Sequence, residues 1–176
     1  MSTPTDVRRQ LHLPGQAAVA EGPHDLSGMY VMHHAFRRDL GRFATAVRRT
    51  PLDDVAAWRA LSARWHRFAS VLHHHHTIED TALWPVLLAS VDAAGDPAAR
   101  ATLEAMAAEH ELIDPLLESC ATGFTAMAYA PDAAARDRLA GRVDAAFGEG
   151  GRAFRVLLRL TRGRFERAER AAFRHA

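Results

Sequence analysis

The chain is 176 residues long, 48% apolar and 24% charged, with a formal net charge of +1; this is the balance of one soluble globular domain with a sizeable core. A single cysteine, Cys120, excludes an internal disulfide framework and fits a reducing, cytoplasmic setting, and no stretch is apolar and long enough to span a membrane. Residues 136–176 carry 11 Arg against 5 Asp/Glu and the rest 11 Arg against 16, but no nucleic-acid motif accompanies that basic end, so a solvated helix face is expected there.

Residues 1–23 contain Pro14, Gly15, Gly22 and Pro23 and no apolar block, so they read as a flexible arm without a signal peptide. The remainder, 24–176, reads as four helices over about 25–49, 53–90, 97–128 and 133–172. Asp25 or Ser27 caps the first, and Thr50-Pro51 stops it. Its inward positions Leu26, Met29, His33, Phe36, Leu40, Phe43 and Val47 alternate by three and four residues, the spacing of a buried helical stripe. One histidine, His33, falls in that stripe.

Asp53-Asp54 opens the second helix, whose stripe is Trp58, Leu61, Trp65, Phe68, Leu72, His75, Glu79 and Ala82. It contains the run His73-His74-His75-His76. The register turns His75 and Glu79 inward and sends His73, His74 and His76 to other angles. Pro85 removes one backbone donor and is expected to bend the last turn. Asp96-Pro97 starts the third helix, with the stripe Leu103, Met106, His110, Ile113, Leu117, Cys120, Phe124 and Met127. Asp114 lies one turn beyond His110, and Pro115 is expected to kink the helix beside it. Cys120 reads as a small core residue.

Three helices therefore each place one histidine in an apolar stripe, and the second adds a carboxylate. Each such group left buried and unsatisfied costs roughly 1–3 kcal/mol. A shared divalent metal, with imidazole and carboxylate ligands, removes that cost. Iron suits the set best, with manganese or zinc as alternatives.

The residues that carry chemistry also resemble a known family. His33 followed by Ala-Phe-Arg-Arg-Asp-Leu, the block His75-His76-x-x-Glu79-Asp80-x-x-Leu83-Trp84-Pro85, and Glu109-His110-x-x-Ile113-Asp114 look like a hemerythrin-like (HHE cation-binding) domain. The resemblance implies an all-α, antiparallel four-helix bundle with a non-haem iron pair between the helices. It implies that His33, His75 and Glu79 hold one metal, that Glu79 reaches across to a second, and that His110 holds the second. Asp114 and His76 are further candidates for that second metal.

The fourth helix departs from the family pattern, which has a second His-x-x-x-Glu/Asp block there. After His110 the only histidine is His175. The nearest match sets Arg164 and Ala168 at the ligand positions, with Glu169 alongside, and a guanidinium is no ligand. With Arg164 at the seam, its fixed positive charge would repel a second ion at roughly 3.5–4 Å from the first, so at most one metal per chain is expected. The first functional reading is metal binding by one or two ions, for binding or sensing dioxygen, peroxide or nitric oxide, or for iron handling. The alternatives are a non-haem iron oxidoreductase acting on a small molecule and a degenerate-site bundle acting as an interaction protein. The sequence is compatible with enzymatic activity and with a homodimer.

Overall fold

The computed structural model describes residues 11–13 and 27–160. Apart from residues 11–13, the expected arm lies outside the described residues, as do the end of the fourth helix and Arg164, Ala168 and Glu169. Helices α1 (Ser27–Arg49), α2 (Val55–Ile78), α3 (Trp84–Ala93), α4 (Pro97–His110), α5 (Ile113–Tyr129) and α6 (Ala133–Leu160) account for the ordered elements, with no strand among the described residues. They make the four arms of an antiparallel bundle: α1, then α2 running on into α3, then α4 into α5, then α6. Along these arms α2 packs on α5, α6 on both α1 and α5, and α3 on α4.

Local chemistry starts three of the four arms. Asp54 accepts from the Ala57 N–H at 2.9 Å, Asp96 from Ala99 at 2.9 Å and Asp132 from Ala135 at 2.8 Å, each supplying one of the partners that a helix start lacks. The Trp58 indole donates to the Pro51 carbonyl at 2.9 Å and ties the α1–α2 turn to the core. Gly95, at φ 63°, takes the left-handed conformation that ends α3. One glycine is needed for proximity: a Cβ on Gly123 of α5 would lie 2.8 Å from Leu139 Cδ1 of α6.

Two apolar clusters result. The larger joins α1, α2, α5 and α6 around Phe43, Trp65 and Phe124, whose rings meet at centroid distances of 4.9–5.5 Å. The Trp65 indole reaches the Leu117 carbonyl at 3.2 Å, so its polar edge is satisfied inside the core. The smaller cluster joins α3 and α4 through Trp84, Leu87, Val91, Leu103 and Met106. Between the two lies a polar layer containing His33, His75, His76, Glu79 and His110.

Two irregularities shape that layer. From Glu79 to Leu83 the chain makes a wide π-helical turn, and the Trp84 N–H bonds back five residues to the Glu79 carbonyl. The one-residue excess rotates everything beyond it by about 100°. Trp84, Leu87 and Val91 are thereby turned inward, Pro85 follows the wide turn, and α3 runs on. The expected stripe position Ala82 is corrected by the same excess: it faces solvent.

The second irregularity separates α4 from α5 at Glu111–Leu112. Pro115 has no N–H to give the Glu111 carbonyl, and its ring crowds that carbonyl. The expected kink is present, and it places Asp114 in the first turn of a new helix.

Candidate metal centre

α1 and α2 bring His33 and His75 together with their Nε2 atoms 2.9 Å apart. Glu79 Oε1 lies 3.6 Å from the first and 3.3 Å from the second. The three side chains are 13%, 15% and 7% exposed. Two imidazole nitrogens and a carboxylate oxygen converge on one another, and the contact between the rings is a hydrogen bond only when one Nε2 carries the proton. Ligands at ~2.1 Å from one ion sit roughly 3.0–3.4 Å from one another in octahedral or tetrahedral geometry, within a few tenths of an ångström of the 2.9, 3.3 and 3.6 Å edges of this triangle. The donor set fits a divalent metal.

His110 approaches from α4 on the other side of the carboxylate, its Nε2 3.6 Å from Glu79 Oε2. Its Nδ1 faces Asp80 Oδ1 at 2.9 Å and the Trp84 indole nitrogen at 3.4 Å. Both cannot be satisfied: if Nδ1 carries a proton for Asp80, it cannot accept from the indole. The shorter, carboxylate-assisted contact prevails, leaving the Nε2 lone pair turned towards Glu79. Asp80 is thus the residue that orients His110.

A family model for the hemerythrin HHE cation binding domain matches residues 24–174. The chain belongs to the hemerythrin HHE cation-binding family. No curated protein and no solved structure gives a significant match.

Of the residues expected to hold metal in this hemerythrin-type bundle, His33, His75 and Glu79 come together, and His110 meets Glu79 from across the bundle. His76 and Asp114 do not join them. They form a second group with His73, in which one ligand atom from each residue lies within 4.8 Å of the others. The stripe spacing turns His76 away from the interior, and the structure corrects this: its side chain is 5% exposed, less than that of His75. The reason is helical phase. At about 100° per residue, 18 residues make five full turns, so His76 stands directly above the buried Trp58, whereas a stripe counted at 3.5 residues per turn drifts away from it.

Two residues escaped sequence reasoning. The stripe spacing puts His73 on another face, and nothing in the sequence gives Asp80 a role. His73 stands three residues before His76, so the two share a face, and that spacing was the available signal.

Electrostatics leave the inner donors ready for a cation. Burial holds the His33 imidazole below its usual range, against the opposing pull of Glu79. Burial pushes the Glu79 carboxyl upward, but the His33 and His75 imidazoles outweigh it and hold it at about 2. At neutral pH the His33 imidazole is thus neutral and the Glu79 carboxylate ionised, the protonation state that metal ligation requires. Cys120 is fully buried and burial pushes its thiol up to about 12, so it acts as a core residue. No described helix is long and apolar enough to cross a membrane.

Proposed function

We infer that this bundle binds iron, with His33, His75 and Glu79 as the principal ligands and His110 facing the same carboxylate. The observation that carries this reading is the buried triangle of two Nε2 atoms and one carboxylate oxygen. Two imidazoles with one carboxylate is the donor set that suits ferrous iron with open coordination positions, on which a small ligand such as dioxygen, peroxide or nitric oxide can bind. The chain's own contribution is to hold the three donors in register. Phe36 lies under the His75 ring at 5.1 Å and keeps that side dry, and Asp80 aims His110. The absence of a histidine from the fourth arm before His175 supports open positions over a fully enclosed pair.

Metal content per chain after aerobic and anaerobic iron loading, with the absorption spectrum recorded before and after air, tests the proposal. The expected result is retained iron and a spectrum that changes on exposure to air. Retained zinc or manganese in place of iron would redirect the reading to a redox-silent or manganese site. A chain that retains no metal would make it an interaction bundle.

A further inference from the structure

We propose that His73, His76 and Asp114 form a second, solvent-open cation site, separate from the position beside Glu79 and His110. It would take a borderline divalent ion such as Zn²⁺ or Fe²⁺.

His76 carries the argument. Its residue is 4% exposed, yet neither ring nitrogen has a hydrogen-bond partner. Its Nε2 is 3.1 Å from Asp114 Oδ1, close enough for charge attraction but not aligned as a hydrogen bond. A buried imidazole with both nitrogens unpaired is costly unless something else takes the lone pair. The Asp114 carboxylate is already engaged from outside by His73 Nδ1, 3.0 Å from both of its oxygens. The two rings stand nearly perpendicular, at 88° with centroids 5.4 Å apart. Two nitrogens from one helix face and one carboxylate from the first turn of α5 converge from different directions, as ligands of one ion do. Imidazole with carboxylate favours borderline divalent ions over Mg²⁺ or Ca²⁺, which take oxygen ligands.

The helix break explains why this site is distinct. Were α4 and α5 continuous, His110 and Asp114 would sit on one face, one turn apart. Interrupted at Glu111–Leu112, they serve different neighbours: His110 faces Glu79, and Asp114 faces His73 and His76. None of the three outer residues lies on the fourth arm. His73 and Asp114 are 59% and 51% exposed, so water competes for the ion and the ligands are only partly pre-ordered. The site should be weak and exchangeable.

Calorimetric titration of the full metal-free chain with Zn²⁺ should show a tight event followed by a weaker one. His73→Ala or Asp114→Asn should weaken the second event by roughly tenfold or more and leave the first unchanged. Asp114→Asn keeps the side chain's shape on an exposed position, so the fold is preserved. His74→Ala, in the same histidine run, should change neither. The proposal fails if the wild type shows only the tight event, or if His73→Ala leaves the weak event intact. It fails equally if His74→Ala matches His73→Ala while Asp114→Asn does nothing, since that is chelation by the run alone. Loss of the weak event in His110→Ala but not in His73→Ala would place the second ion beside Glu79 and overturn it. A missing tight event would count against the inner iron site instead, so the two readings fail separately.

Discussion

Two triads, each of two imidazoles and one carboxylate, share helix α2 and lie on different sides of it, and they differ almost only in their surroundings. His33, His75 and Glu79 are all at least four-fifths buried, backed by Phe36 and packed between two apolar clusters. His73 and Asp114 stand half in water, and only His76 is enclosed. Ligand type selects which cations are welcome, and it is the same in both places. Burial decides how firmly the ligands are held in position before an ion arrives. The inner triad should therefore retain its ion, and the outer one should exchange it.

The most severe break of that comparison is His75→Ala, or Glu79→Ala. Metal retained after desalting should fall from about one per chain to roughly none, with His74→Ala unchanged. Equal retention in His75→Ala and His74→Ala would show that the inner triangle is not the binding site.

Phe36→Ala removes the floor of the inner triad from a position 3% exposed. It should destabilise the metal-free chain by about 3–5 kcal/mol, read as a lower urea midpoint, and admit water to His75. Its effect on the weak zinc event should be slight. A comparable loss at both triads would mean that packing, and not local burial, couples them.

Asp80→Asn tests orientation. The side chain keeps its shape but loses its charge beside His110 Nδ1. Inner affinity should drop roughly 10–100-fold in competition with a chelator, with thermal stability nearly unchanged. No change in affinity would exclude His110 from the inner ion's shell.

The smallest effect is on metal-free stability against pH. Burial lowers the His33 and His76 imidazoles from the ordinary 6.5, so the unfolded chain takes up protons first as pH falls. Their contribution is complete above pH 6.5 and declines below it. Glu79, held at about 2 against an ordinary 4.5, adds a loss of the same sign as pH falls from 4.5 towards 2. Urea midpoints should thus be flat from pH 8 to 7 and fall from pH 6.5 downward. A rise over that range would mean that the imidazoles are charged in the folded chain.

Much of this was legible in the residues alone. The stripes of α1 and α4–α5 were read correctly through Phe36, Leu40, Phe43 and Val47 and through Leu103, Met106, Leu117, Cys120, Phe124 and Met127, all of which are buried. Such stripes are local: three- and four-residue spacing needs no knowledge of the partner helix. The α2 stripe was read less well. A fixed 3.5-residue seam loses phase over five turns, and the π-helical turn at Glu79–Leu83 then adds a residue that no spacing rule anticipates. Ala82 was lost for that reason, and His76 was misplaced for the first.

What the sequence determined by itself is therefore the inventory: helices, stripe-forming apolar residues, and three buried histidines with a carboxylate that require a common partner. Each follows from a run of neighbours along one chain segment. Only the tertiary structure decided the allocation. His75 belongs with His33 because α1 lies on that side of α2. His73 and His76 belong with Asp114 because α5 lies on the other, and the break at Glu111–Leu112 turns Asp114 away from His110. Consecutive histidines turn by about 100° about a helix axis, so that His73 and His76 return to one face, and which of them meets a ligand depends on where the neighbouring helices stand.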